Sequence, residues 1–386
     1  MEFLFLVVAI LIGYFYIGYY IFLWTLSLFV KRDAFSAKKK YYPFISIIIP
    51  AYNEEKNISQ KIENCLSINY HSDRMEIIIV SDASTDKTDD IVRSFIKKTN
   101  NKRIRLLRRA KREGKESAQK LGIENAEGNI IIFSDAATLI ETDSVLNIVK
   151  NFCNPDIGCV SSIDKIITSD GKVSGEGLYV KYEMAIRRLE SKVNSLVGVS
   201  GSFFAVRKEL CNPWPKDLAS DFNVVFNVIR AGKKAILDEK AVGFYKDVLD
   251  EKKEFERKVR TIIRGITVLS RNLDMLNPLK YGLFSWQLFS HKVLRWISPF
   301  LLILLFLCNL YLRCENSLFY TILIFQVIFY IILFIVNIIP VQYISFLYYL
   351  KKISNYFIGV NLSIIIAWWR FIKGERISMW QPSQRV

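Results

Sequence analysis

Hydrophobic residues follow three different patterns along this chain. Residues 3–30 are almost entirely apolar or aromatic, a run long enough to cross the roughly 30 Å hydrocarbon core of a bilayer. Between about Pro43 and Met275, short β-branched runs alternate with segments of helical periodicity. Beyond Met275, long apolar stretches return. The pattern therefore predicts a central α/β domain flanked by transmembrane helices.

Four runs in the central segment have the composition of buried strands. They are residues 46–49, 76–80, 104–107 and 129–133. Helical periodicity separates them, beginning near Glu54 after the first run. Strands that alternate with helices imply a largely parallel, doubly wound sheet. In such a sheet, ligands bind beyond the carboxyl ends of the strands.

Acidic or amide side chains follow three of these strands. They are Asn53 and Glu54 after the first strand, Asp82 and Asp86 after the second, and Asp135 after the fourth. For each group taken alone, a helix N-cap is the simpler interpretation. Three such groups at one edge of a sheet favour a ligand site, because a carboxylate beside apolar residues is costly unless it binds something.

The chemistry of these side chains suits an activated nucleotide. Asp82 can accept hydrogen bonds from an imide N–H or a ribose hydroxyl. Asp135 is placed to hold a divalent cation that bridges diphosphate oxygens, and Lys115 adds positive charge against the same phosphates. Ala137 stands where a second acid would complete a metal-binding pair. The basic run 103–115 also fits a solvated or membrane-facing surface.

The C-terminal part of the chain predicts a membrane region. Apolar runs at residues 296–312, 318–339 and near 353–372 are candidate spans,. The predicted organisation is an N-terminal span (1–31), a central domain (43–275), an interfacial amphipathic helix (280–295), C-terminal spans (296–372) and a polar tail (373–386).

Basic residues bear on how this chain is oriented. Several follow the N-terminal run, so the positive-inside rule puts the central domain in the cytoplasm,. Basic residues also follow the last apolar run, which conflicts with three complete C-terminal crossings. Because Pro340 can break a re-entrant segment, the number of spans stays open.

Net charge and rare residue types exclude several functions. The formal net charge of +16 suggests an anionic neighbour, either lipid headgroups or a phosphorylated substrate,. Nucleic acid is disfavoured, because the chain is membrane-anchored and has no recognisable nucleic-acid module. Six cysteines without CxxC spacing indicate free thiols in a reducing cytoplasm,. His71 and His291 are too far apart in the sequence to suggest a His-based site.

Eight short motifs between residues 43 and 296 point to one family. They are Ile49–Glu55, Ser81–Asp86, Gly114-Lys115, Phe133–Thr138, Tyr182-Glu183, Gly198–Gly201, Ser220–Phe222 and Arg257–Thr261. In this order they resemble family 2 glycosyltransferases of the GT-A fold, in particular the membrane-embedded synthases of cellulose, hyaluronan and poly-N-acetylglucosamine. The resemblance implies an α/β domain with a doubly wound mixed sheet of the GT-A type, flanked by transmembrane helices. One motif would be weak support, whereas eight in order are strong.

The resemblance implies roles for individual positions. The nucleotide-sugar would contact Ala51, Tyr52, Glu54, Asp82, Lys115, Arg257 and Arg260, with Asp82 at the uracil and the arginines by the diphosphate. Asp135 would bind Mg²⁺ or Mn²⁺, and Asp221 would be the general base. The segment Gly198, Gly201 and Ser202 can let the backbone approach an acceptor, although a tight turn explains it equally well.

These residues predict an inverting glycosyltransferase that moves a sugar from a nucleotide-sugar, UDP-linked, to a polysaccharide or glycolipid at the membrane. Two departures from the family pattern leave alternatives. Thr261 replaces a tryptophan that normally stacks on sugar, which fits a non-processive enzyme that glycosylates a lipid. Ala137 fits an inactive nucleotide-sugar-binding subunit. Asp221 itself has a second interpretation as a helix N-cap.

Overall fold

The computed structural model describes residues 1–30, 41–99, 103–167, 178–246, 251–338 and 345–377. The chain divides into two compact units. The first, here called the helical unit, contains Met1–Phe22, Glu251–Ile266 and Leu288–Glu375. The second, the sheet unit, contains the described residues within Leu23–Asp250 and Thr267–Gln287.

One mixed sheet forms the core of the sheet unit. Its strands, within the described residues, are β1 (Ile45–Ala51), β2 (Met75–Ser81), β3 (Ile104–Arg108), β4 (Ile130–Ser134), β5 (Leu139–Ile140), β6 (Ile157–Ile167), β7 (Phe203–Arg207) and β8 (Lys234–Lys246). Their order is β3-β2-β1-β4-β7-β6-β8-β5. The first four strands are parallel, β7 is antiparallel to β4 and β6, and β5 is antiparallel to β8. The four predicted strands are confirmed.

The centre of the sheet is apolar on both faces. Every residue of β1 and β2 is buried, as expected for parallel strands that helices cover on both sides. Because β1, β2 and β4 run in the same direction, their carboxyl ends lie at one edge of the sheet. The chain segments that follow these strands therefore meet at that edge.

Helices of both units follow the predicted periodicity. In chain order they are α1 (Glu2–Phe29), α2 (Ile58–Leu66), α3 (Thr88–Thr99), α4 (Lys115–Asn125), α5 (Ser144–Lys150), α6 (Leu178–Val193), α7 (Ser220–Arg230), α8 (Glu251–Ser270), α9 (Leu283–Leu312), α10 (Ser317–Ile338) and α11 (Ser345–Ile372). A further helical turn occupies Pro278–Tyr281. The helix expected from Glu54 begins four residues later, because Glu54 starts a turn in which its carbonyl accepts from the N–H groups of Asn57 and Ile58.

Four helices of the described chain are long and apolar enough to cross a membrane. They are Glu2–Phe29, Leu283–Leu312, Ser317–Ile338 and Leu347–Ile372. The segment 280–295, predicted as an interfacial helix, overlaps a break in the helical chain and the beginning of α9, and its place at a membrane surface stays a prediction. The break comes at Gly282, where φ is +53°, and no glycine or proline interrupts the chain from Leu283 to Ser298. Pro340 lies outside the described residues.

Polar contacts join the helices within the helical unit. Trp368 on α11 donates its indole N–H to the carbonyl of Trp296 on α9, at 2.7 Å. Asn337 of α10 donates to Ser354 of α11, also at 2.7 Å. Hydrogen bonds that polar side chains make to a neighbouring helix are known to stabilise helix pairs in membranes.

Candidate active site

The loops after β1 and β2 are tied together by hydrogen bonds. The amide N–H of Thr85 donates to the Asn53 side chain at 2.8 Å, and the N–H of Glu54 donates to Thr88 Oγ1 at 2.8 Å. The N–H of Asp82 donates to the carbonyl of Ala51 at 2.8 Å. The Glu54 carboxylate is buried and accepts from Asn57 at 2.7 Å. Ala51, Glu54 and Asp82 are thus brought together at one rigid edge.

Asp82 anchors a third loop at the same edge. Its side chain is buried, and its two carboxylate oxygens accept from the backbone N–H groups of Glu113 (3.0 Å) and Gly114 (2.7 Å). These bonds fix the start of α4 against the end of β2. Because a carboxylate has about four acceptor sites, Asp82 keeps acceptor capacity for a nucleotide.

Tyr52 lies beside an arginine that the sequence did not single out. The Arg112 guanidinium is stacked over the Tyr52 ring, 3.8 Å from its centroid. A guanidinium on an aromatic face is a favourable cation–π contact. The pair presents flat surfaces at the sheet edge, of the kind that stack on a nucleotide base. The only sequence signal for Arg112 was its place just before Gly114-Lys115, within a run of basic residues.

Lys115 connects α4 to the end of β4. Its Nζ lies 2.5 Å from Asp135 Oδ1 and donates to the carbonyl of Gly201 at 2.8 Å. The N–H of Asp135 donates to the carbonyl of Ser202 at 3.0 Å. The segment 198–202, which we call the glycine loop, therefore contacts the side chain of Lys115 and the backbone of Asp135. Lys115 is buried and Asp135 is half-buried, so solvent weakens their attraction less than at the surface,.

Asp221 lies in the first turn of α7, next to the glycine loop. The N-cap of α7 is Ala219, with no side-chain cap, so the N-cap interpretation of Asp221 is wrong. The carbonyl of Asp221 accepts from the N–H of Val199 at 3.0 Å. A Cβ built on Gly201 would lie 3.1 Å from Asp221 Oδ2. Gly201 therefore leaves the space that the Asp221 carboxylate occupies.

This close approach predicts the effect of a methyl group at Gly201. In Gly201→Ala the added Cβ would displace the carboxylate of Asp221, the base that the sequence predicts, and we expect kcat to fall by about tenfold or more. Gly359→Ala is the comparison, since a Cβ at this position on α11 would meet nothing within 4 Å. Steady-state rates of the two variants test this, and equal losses would contradict it.

Asp164 is a site residue that the sequence analysis missed. Its carboxylate accepts from the hydroxyls of Ser200 (2.7 and 2.8 Å) and Ser202 (2.5 Å). Burial raises the pKa of Asp164, while the bonds from Ser202 and Ser200 oppose that rise and the charge of Asp135 adds to it. A single acid within the strand β6 gave no sequence signal. Asp164 holds the glycine loop from the side of β6.

The donor atoms near Asp135 fit a hard divalent cation. The carboxylates of Asp135 and Asp164 and the serine hydroxyls supply oxygen, which Mg²⁺ and Mn²⁺ prefer. Among the described residues, no group of three His, Cys, Asp or Glu side chains forms a metal site, consistent with Ala137 in place of a second acid. A cation here would take most of its ligands from the phosphates of a bound donor and from water.

Arg257 and Arg260 lie on α8, in the helical unit. Arg257 donates two hydrogen bonds, of 2.7 and 2.8 Å, to Glu254 on the same helix. Burial lowers the pKa of Arg260, and the nearby charges of Arg264 and Arg257 lower it further. Clustered positive charge of this kind suits an anionic ligand, but the assignment of both arginines to the donor stays a prediction.

Comparison with known proteins finds similarity to one family over part of the sheet unit. Residues 46–212 match the family model described as glycosyl transferase family 2. A dolichyl N-acetyl-α-D-glucosaminyl phosphate 3-β-D-2,3-diacetamido-2,3-dideoxy-β-D-glucuronosyltransferase of Methanococcus voltae is 38% identical over 28% of this chain and 34% of its own length. A poly-β-1,6-N-acetyl-D-glucosamine synthase of Staphylococcus epidermidis is 27% identical over 46% of this chain and 43% of its own length. The chain thus spans less than half the length of both relatives.

A solved structure extends the likeness to nearly the whole chain. The mannosyltransferase PcManGT from Pyrobaculum calidifontis, solved with GDP-mannose and Mn²⁺, superposes with a TM-score of 0.75. The match covers 97% of this chain and 100% of that chain, at 19% sequence identity. At this level of identity the likeness shows the fold. The mixed α/β sheet is of the GT-A type, as the motifs implied.

Proposed function

This chain carries a family 2 glycosyltransferase domain, and we propose that it transfers a sugar, with inversion, from a UDP-sugar to a growing polysaccharide or glycolipid at the membrane. One observation carries the proposal. The glycine loop brings Lys115, Asp135 and Asp221 to the carboxyl edge of the sheet. A phosphate-binding cation, a metal-binding acid and a base are the groups that this reaction needs.

Asp221 is the general base in this mechanism. Its carboxylate takes the proton from the acceptor hydroxyl as that oxygen attacks the anomeric carbon, on the face opposite the diphosphate. The bond between the anomeric carbon and the diphosphate oxygen breaks as the new glycosidic bond forms. Base catalysis of this kind contributes about 10²–10⁴-fold to the rate.

Positive charge at the site stabilises the departing diphosphate. Lys115, now paired with Asp135, is long and flexible enough to share its ammonium with a phosphate oxygen. A divalent cation, when bound at Asp135, neutralises charge on the leaving group as a Lewis acid. Asp135 and Asp164 are the residues that would hold it. Arg257 and Arg260 are the further phosphate ligands that we propose.

The nucleotide is assigned to the loops after β1 and β2. Tyr52 and Arg112 offer flat faces for the base, and Asp82 has acceptor capacity for an imide N–H or a ribose hydroxyl. Ala51 and Glu54 lie beneath this proposed nucleotide site, where hydrogen bonds hold them in place. The glycine loop, with Gly198, Gly201 and Ser202, is the proposed approach for the acceptor.

A membrane acceptor is supported by the helices of this chain and by its relatives. Four described helices are long and apolar enough to span a bilayer. One relative is named for a lipid-linked acceptor, and another for a polysaccharide. We propose that the sheet unit faces the cytoplasm, since basic residues follow the first span,.

Membranes that contain the protein, incubated with a panel of labelled nucleotide sugars, test the function. We expect incorporation from a UDP-sugar, release of UDP, and loss of both when EDTA removes divalent cations. Sizing the product separates the two acceptor classes: a ladder indicates a polysaccharide, and one added sugar in the organic phase indicates a lipid. Incorporation from GDP-mannose alone would overturn the donor assignment, and undiminished transfer in EDTA would overturn the metal.

A further inference from the structure

Lys61 is a fully buried lysine below the loop that carries Asp135. It lies on α2, and its side chain has no exposed surface. Its ammonium donates to Ser134 Oγ at 2.7 Å and to the carbonyl of Thr138 at 2.5 Å. These two residues bracket Asp135 on either side. A buried charge is costly unless it is hydrogen-bonded and compensated. The two hydrogen bonds of Lys61 are therefore important for keeping its ammonium group in the protein interior.

A second residue of α2 holds the same loop. One turn beyond Lys61, the Asn64 amide donates to the carbonyl of Ile140 and accepts from its N–H, both at 2.8 Å. The chain from Ser134 to Ile140 is thus fixed to α2 at three points. Ala136 within it is buried. Asp135 is the charged residue of this segment, and its side chain pairs with Lys115 and not with Lys61.

The charge of Lys61 acts on Asp135 without direct contact. Burial lowers the pKa of Lys61, while Cys65 and Asp135 oppose that shift. Asp135 therefore lies in the field of two ammonium groups, one of them paired with it directly at 2.5 Å. Ala137 provides no second carboxylate to balance them.

We infer that Lys61 is a positioning residue of the donor site, which holds the loop from Ser134 to Thr138 so that the Asp135 carboxylate faces the phosphates and cation without a second acid. The inference rests on the proposed role of Asp135. It extends that role, because it proposes that the buried ammonium group of Lys61 keeps the loop in one conformation. The loop should then be ordered before any metal or donor binds.

Hydrogen–deuterium exchange tests the anchoring without any activity. The purified full-length protein, free of metal and donor, is compared with Lys61→Met, which keeps the length of the side chain but removes its charge and donors. We expect exchange in the segment 134–140 to rise about tenfold or more, as local opening becomes easier. Lys56→Met is the control, since Lys56 is exposed on the turn before α2. Unchanged exchange in Lys61→Met would overturn the inference.

Kinetics separate positioning from general stability. In Lys61→Met we expect the KM for the donor and the half-saturating Mn²⁺ concentration to rise about tenfold, with a smaller change in kcat. Ser134→Ala, which removes one of the two acceptors, is the milder variant and covers the case in which Lys61→Met does not fold. A lower unfolding temperature with unchanged KM and metal dependence in both variants would show a purely structural role. Absence of transfer by the unaltered protein would refute the proposed function, while the exchange data still decide whether Lys61 orders the loop.

Discussion

Replacing Asp221 by asparagine is expected to lower the rate of sugar transfer by about 10²–10⁴-fold, the usual contribution of a general base. The amide cannot take a proton from the acceptor hydroxyl, but it has nearly the same shape as the carboxylate. The gap beside Gly201 would still accommodate it. Because the proposed mechanism has Asp221 act on the acceptor, the KM for the nucleotide sugar should change little.

Asp217→Asn is the matched control for this experiment. Asp217 is an exposed acid shortly before α7, ion-paired with Arg271, and its loss should change activity by no more than about twofold, as for other surface substitutions. Initial rates of labelled transfer in washed membranes, corrected for protein amount, give the comparison. If Asp221→Asn retained the rate of Asp217→Asn, the base would have to be another residue.

The central strands were predictable because strands that are buried on both faces have an almost entirely apolar composition. β1, β2 and β4 are covered on both faces and so consist mostly of isoleucine and other apolar residues. The strands at the other side of the sheet have a less distinctive sequence pattern. β5 has two residues, and β8 carries charged side chains among its apolar ones. Their pairing depends on contacts distant in sequence, which local pattern does not encode.

The candidate site was predictable to the extent that it follows strand ends. Asp82 and Asp135 come after buried strands, and topology brings those ends to one edge. Their actual partners depend on long-range packing. The pairing of Lys115 with Asp135 and the bonds from the serine hydroxyls to Asp164 join segments far apart in the chain. Lys61 looks like a polar position on an amphipathic helix, and only the fold shows that it is buried.

Asp135→Asn should remove most of the activity and raise the KM for the donor. Asp135 is the one carboxylate of the motif, since Ala137 supplies none. Losing it removes the proposed cation ligand and leaves Lys115 without its anionic partner. Removing one preorganised electrostatic group from an active site costs about 10²–10³-fold in kcat. Added Mn²⁺ should restore little, because the ligand itself is missing. Transfer assays over a range of metal concentrations measure both effects.

The converse variant, Ala137→Asp, isolates the metal contribution. It restores a second acid two residues after Asp135, so we expect half-saturation at a lower Mn²⁺ concentration than in the unaltered protein, because more charged oxygen ligands raise cation affinity. Asp143→Asn is the control, an exposed acid bonded to Asn69. If Asp135→Asn kept its dependence on Mn²⁺ and Ala137→Asp left half-saturation unchanged, the cation would bind elsewhere. Asp135 would then serve only as the counter-ion that holds Lys115 in place for the phosphates.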